Sequence, residues 1–117
     1  MSFTYEIDAE RELVTVRVSG NIRTADLAVV REGVMADPAF RPNFKALLDM
    51  READFRGINL AELRERAGRP PEFRCMAILA LPGFPYGIAR MYEMCTPLEV
   101  AVFTEREAAL AWLRQCA

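Results

Sequence analysis

Asp49 closes the apolar run Lys45-Ala46-Leu47-Leu48, and a carboxylate following a buried strand is a candidate general base, its pKa raised where burial disfavours the charge. Such a base works with an acid, a metal or a nucleophile, and no Ser, His or Cys stands at a spacing that identifies one. The same carboxylate equally well caps the turn after it or pairs with Arg51 or Arg90. A second candidate is Pro82-Gly83-Phe84-Pro85-Tyr86-Gly87, a loop of fixed shape whose last members can open a helix and aim backbone N–H groups at an anion. Arg90, one helical turn later, has the planar fork that grips a carboxylate or phosphate. The plainer alternatives are that Gly83 and Gly87 only permit the turn, and that Arg90 pairs with Asp49 or Glu93 or lies in solvent.

A third group is apolar. Met50, Met76, Met91 and Met94, with Phe55, Phe84 and Tyr92, gather in sequence around strand exits and one helix. Flexible thioethers adapt to irregular partners, which suits a ligand pocket or a protein-contacting groove as well as ordinary core filling. Cys75, Cys95 and Cys116 are odd in number and in no CxxC pattern, so neither a disulfide framework nor a metal knuckle is expected. Cys75 reads as an inert strand residue and Cys116 as part of a fraying terminus.

Composition narrows these options. There is no histidine, which removes the usual zinc ligand and general base. The 15 Lys+Arg against 17 Asp+Glu give a net charge of -2, leaving no basic excess to neutralise phosphates, so no nucleic-acid partner is expected. A chain of 117 residues, 52% hydrophobic, fits one compact domain over residues 1–117. The longest apolar stretch, Cys75 to Pro82, is far short of the ~20 residues that span a bilayer, so no membrane insertion is expected. With no export signal at Met1-Ser2-Phe3-Thr4, a reducing cytoplasm is the expected location.

The elements that must position the candidates follow from periodicity. Phe3, Tyr5 and Ile7, then Val14, Val16 and Val18, alternate with polar residues on either side of Asp8 to Glu12, predicting a hairpin that ends at Ser19-Gly20-Asn21. Thr24 is the expected N-cap of a helix over 25–36 carrying Leu27, Val30 and Val34, stopped by Asp37-Pro38. Lys45 to Met50 predicts a central strand whose polar exit begins at Asp49. Asn59 with Glu62 opens a second helix, its inner side Leu60, Leu63 and Ala67, ending at Gly68. Cys75 to Leu81 is a buried strand, Ile88, Met91, Tyr92 and Cys95 a helical stripe, and Leu98 to Phe103 the last strand. Thr104 with Glu107 caps a terminal helix whose inward side is expected to carry Ala108, Ala111 and Trp112. The order β-β-α-β-α-β-α-β-α predicts an α/β domain: a mixed, mostly parallel sheet of about five strands, an N-terminal antiparallel hairpin and four helices. Ligands of open α/β sheets sit outside the strands' carboxyl ends, which selects Asp49-Met50-Arg51, the 82–87 loop, and Thr104 with Glu105.

The chain resembles the SpoIIAA-like proteins, small bacterial domains related in fold to STAS domains, most of them without an assigned function. The resemblance spans nearly the whole chain. It is carried by Tyr5-Glu6-Ile7-Asp8 with Val14 to Gly20, by Asp37-Pro38-Ala39-Phe40-Arg41-Pro42, by Leu47-Leu48-Asp49-Met50-Arg51, by Tyr86 to Glu93, and by Val102-Phe103 ahead of Glu107 to Leu113. The wider STAS group includes anti-sigma antagonists phosphorylated on a Ser or Thr in an Asp-Ser-Ser/Thr-Gly pattern. The nearest stretch here is Asp54-Phe55-Arg56-Gly57, with Arg56 in place of the hydroxyl, so the resemblance implies a domain without that switch. It also implies kinship with lipid-binding folds that hold apolar ligands between helix and sheet.

The sequence leads first to a non-enzymatic regulatory or binding module that contacts a protein partner or its own copy, forming a homodimer, through the third helix and its preceding loop. The alternative is a carrier of a small apolar or amphipathic ligand in a pocket between sheet and helices near Met50, Phe84 and Met91. The third is an enzyme with Asp49 or Glu93 as base. No cofactor and no metal are expected. Asp49, Met50, Arg51, Phe84, Tyr86, Gly87, Arg90 and Met91 are the candidate ligand- or partner-binding residues.

Overall fold

The computed structural model of the protein describes residues 1–116. These form β1 (Ser2–Asp8), β2 (Leu13–Arg23), α1 (Thr24–Met35), β3 (Lys45–Gly57), α2 (Leu60–Ala67), β4 (Met76–Leu79), α3 (Phe84–Cys95), β5 (Val100–Phe103) and α4 (Arg106–Gln115). The hairpin pairs antiparallel from Ser2 opposite Ser19 to Asp8 opposite Leu13. Its turn closes through the Glu12 N–H on the Ala9 carbonyl at 3.3 Å, with Glu12 itself at φ 54.

The sheet order is β1-β2-β3-β4-β5, with β2 to β5 parallel. Parallel crossovers are right-handed, so successive steps in one direction place every crossover helix on the same face. The cores agree with that rule. Val30 and Val34 of α1, Leu63 of α2, and Ile88 and Ala89 of α3 share one apolar core with Val16, Val18, Ala46, Met50, Met76 and Ile78. The alternate strand residues, Leu47, Ala77 and Leu79, face the other way and are covered by Ala109 and Leu113 of α4. Strand β4 is therefore buried on both sides, as its unbroken apolar sequence requires.

Several expected boundaries move. Strand β3 does not end near Asp49 but runs on to Gly57, because its pairing with β2 continues through Ser19 opposite Glu52, Gly20 opposite Ala53 and Asn21 opposite Asp54. Backbone pairing outlasts the apolar pattern. Strand β2 likewise passes the expected stop at Gly20 and reaches Arg23, burying Ile22. Thr24 is not the N-cap of α1; Arg23 is, its N–H donating to Asp26 at 2.8 Å, while the buried Thr24 hydroxyl accepts the Asn59 N–H at 2.9 Å and ties α1 to α2. Helix α2 does open on Asn59, whose side chain accepts the Glu62 N–H at 3.0 Å, and it stops at Gly68, but Leu60 lies on its exposed side.

Helix α4 starts after Glu105 rather than Thr104, and its inner stripe is Ala109 and Leu113 with half-buried Leu110 and Trp112; Ala108 and Ala111 are exposed. The Lys45 ammonium, on the chain's only lysine, donates to the Leu113 carbonyl at 2.6 Å and so satisfies an end carbonyl of α4. The expectation of three unpaired thiols is also corrected. Cys116 is buried rather than frayed and forms a disulfide with Cys75, which the close approach of the start of β4 to the end of α4 makes possible. Cys95 is free and half-buried.

Candidate functional site

Between the sheet and the three crossover helices lies an apolar cavity of about 140 Å³. Its floor is Val16 and Val18 of β2, Ala46, Leu48 and Met50 of β3, and Met76 and Ile78 of β4; its walls include Val30 and Val34, Leu63, and Ile88 and Ala89. Two periodicities produce it: every second strand residue faces the helices, and each helix contributes residues three or four apart. Small residues at Ala46 and Ala89 leave floor and wall recessed.

The cavity reaches the surface at a polar rim. Arg31 of α1, Arg66 near the end of α2, Arg69 just beyond it and Tyr92 of α3 all border the space. Arg31 donates to the Arg69 carbonyl at 3.1 Å, bracing α1 against the end of α2, and the Arg69 guanidinium meets Glu65 at 3.0 Å. Arg66 is half-buried and has no hydrogen-bond or ion-pair partner among the described residues. Burial raises the Tyr92 phenol above its ordinary pKa, while the nearby Thr96 hydroxyl and the charges of Arg31 and Arg66 pull the other way. At neutral pH its O–H is therefore a neutral donor beside two guanidinium groups.

The candidates read from sequence divide between this cavity and other places. Met50 is buried and lines the cavity floor. Asp49, its neighbour, faces the opposite side of the sheet at 4% exposure, where Arg51 grips it with Nε at 3.0 Å and Nη2 at 2.8 Å and adds its backbone N–H at 3.1 Å; Arg17 lies 3.9 Å away. Those arginine hydrogen bonds outweigh burial, so the Asp49 carboxyl is held below the usual carboxylate range rather than above it. Arg51 in turn lies within charge reach of Glu105. The 82–87 loop and the 104–105 segment do come together, as an open hollow bordered by Gly83, Tyr86, Phe103, Thr104 and Glu105.

Only part of the loop's backbone is committed to the protein. The Tyr86 and Gly87 N–H groups donate to the Leu81 and Gly83 carbonyls, and Pro85 has none to offer. Gly83, at φ 92, does need glycine, whereas a side chain at Gly87 would meet nothing within 4 Å. Phe84 is 59% exposed and Arg90 pairs with Glu93 at 2.8 Å, so neither borders the cavity; Met91 packs against the core without lining the space. The strand-exit candidates do not lie at a switch point of the sheet. A ligand crevice there arises where strand order reverses, and the order β1-β2-β3-β4-β5 never reverses. The rim arginines were the residues not singled out.

At the end of β3 the Arg56 guanidinium closes on Asp54 through Nε at 3.0 Å and Nη2 at 2.6 Å, holding that carboxyl at about 2. Phe55, between them, points inward to the cavity. From Asp54 to Glu62, across the start of α2, no Ser or Thr occurs. Among the described residues no cluster of three or more His, Cys, Asp or Glu side chains could hold a metal, and no helix is long and apolar enough to cross a membrane.

A model of the SpoIIAA-like family matches residues 13–114, from the start of β2 into α4. Among solved structures the chain is similar to the crystal structure of an uncharacterised protein of the DUF3478 family with a SpoIIAA-like fold, from Shewanella loihica PV-4. The two are 22% identical and superpose with a TM-score of 0.63, covering 95% of this chain and 93% of the other. No curated protein matches the sequence.

Proposed function

The chain belongs to the SpoIIAA-like family, and on that premise we propose that it is a non-enzymatic binding module that holds a small apolar or amphipathic molecule between its sheet and helices. The observation that carries this is the cavity of about 140 Å³ with a floor and walls of apolar side chains. Protein interiors are packed nearly as densely as organic crystals, and voids larger than a water are few. An apolar hollow that opens at its rim leaves apolar side chains facing water, which an apolar guest would cover. The site is displaced from the one expected near Phe84 and Met91: it shares Met50 but is roofed by α1 and α2 as well as α3.

A catalytic role has less support. Asp49, with its pKa held down by Arg51, is a weak base, and Glu93 is occupied by Arg90. The test is native mass spectrometry of freshly purified protein, joined to thermal melts with a small apolar probe such as toluene. A co-purified mass or a rise in Tm with toluene is expected. Ala46→Leu, which fills the floor, should abolish the toluene shift while raising the Tm of the ligand-free protein. A bare mass together with a melt that toluene leaves unmoved in both proteins would overturn the reading.

A second reading, contact with a protein partner or another copy, is favoured by one feature: Leu81, Phe84 and Met94, along α3 and the loop before it, are 48%, 59% and 76% exposed. Large apolar side chains left in water are a cost that association removes. Sedimentation of the wild type and of a Phe84→Ser variant checks it. A concentration-dependent dimer weakened by the substitution supports the copy, and a monomer at all concentrations removes it.

A further inference from the structure

The cavity is apolar inside, but its one polar edge carries a single sign of fixed charge facing it, and that asymmetry says what kind of molecule fits. Arg31, Arg66 and Arg69 stand together at the mouth although the chain as a whole is slightly acidic. Two of the three are occupied. Arg31 holds the Arg69 carbonyl and Arg69 holds Glu65. Arg66 is half-buried, borders the space and lacks any partner among the described residues, so its guanidinium fork stands at the rim with its N–H groups uncommitted to the protein. Tyr92 adds an O–H close enough to feel the charge of both Arg31 and Arg66.

We propose that the ligand is a short amphipathic carboxylate, its tail in the cavity and its head on Arg66 beside Tyr92. This deepens the binding reading above and rests on it. A single free fork matches one planar, singly charged carboxylate through two parallel N–H···O bonds. Tail length follows from volume: an apolar cavity of ~150 Å³ accommodates benzene, so a space of about 140 Å³ takes roughly six to eight carbons once the stems of the rim arginines cover the part nearest the mouth. A sixteen-carbon chain exceeds that space, and its excess length would be left outside the cavity.

Isothermal titration with octanoate, octanol and hexadecanoate separates the parts. Wild type should bind octanoate at least tenfold tighter than octanol, the same tail without the charge, as expected for one charge-assisted bidentate contact. Arg66→Gln should remove that tenfold advantage and leave octanol binding unchanged, and Arg66→Lys should restore only part of it; unchanged melting of both variants keeps folding out of the comparison. Hexadecanoate should bind no tighter than octanoate. If octanol binds as tightly as octanoate, or Arg66→Gln changes neither, the head-group assignment is wrong although the apolar site stands. If neither ligand binds and Ala46→Leu alters nothing, the binding reading itself has failed.

Discussion

Asp49 keeps its charge at 4% exposure because Arg51 supplies two side-chain N–H groups and a backbone N–H to it, with Arg17 close by. A carboxyl whose folded pKa lies below its unfolded value adds stability that is complete above the unfolded value and disappears as pH falls through the folded one. Asp49→Asn keeps the shape and removes the charge, so it should cost about 2 kcal/mol near neutral pH. Urea titrations at about pH 7 and about pH 3 check this, since the gap between wild type and variant should narrow in acid. An equal gap at both would mean that packing, not charge, is what the substitution disturbs. Pairs of this kind are legible in sequence. Arg51 follows Asp49 by two positions on a strand and Glu93 follows Arg90 by three on a helix, so the partners are fixed by local geometry. The mouth of the cavity is not legible that way. Arg31 and Arg66 come from separate helices with β3 between them in the chain, and only the stacking of α1 and α2 on one face unites them.

Element types follow from period and caps, and their ends follow from pairing that the pattern does not carry. Val14, Val16 and Val18 mark β2, and Asn59 with Glu62 marks α2, because alternation and capping are local. The far halves of β2 and β3 hold Glu52, Asp54 and Arg56 and look like loop, yet they pair to Arg23 opposite Gly57 after two shifts of register. Gly57 permits that last pairing. A Cβ there would stand 2.8 Å from the Ile22 carbonyl oxygen, and backbone cannot give way as a side-chain tip can. Gly57→Ala should therefore destabilise by about 1–3 kcal/mol despite adding a single methyl. Gly87→Ala is the control. Inside α3 with open space around it, alanine should stabilise by up to about 1 kcal/mol through helix propensity. Denaturant midpoints that move in the same direction for both would sink this account of Gly57.

One sheet divides the whole molecule into two cores of unequal construction. Three helices and the cavity occupy one side; α4 alone covers the other, with Cys116 and Cys75 joining its end to the start of β4. Alternating strands and helices make the layers predictable from sequence. The strand order is not, because nothing local distinguishes a sheet that winds in one direction from one that reverses. The disulfide was hidden for a similar reason, its cysteines being 41 positions apart. Closing a loop of that length restricts the unfolded chain by about 4 kcal/mol in the chain-entropy estimate. A reductant, or Cys116→Ser, should lower the Tm by roughly 15 °C, at ~4 °C per kcal/mol for a domain of this size. The sheet lies between that bond and the cavity, so octanoate affinity measured well below the melting range should stay within about twofold of wild type in Cys116→Ser, additivity holding for sites without shared partners. A loss of affinity in step with the loss of stability would show that the two faces are coupled through β4, and the picture of two independent cores would have to be given up.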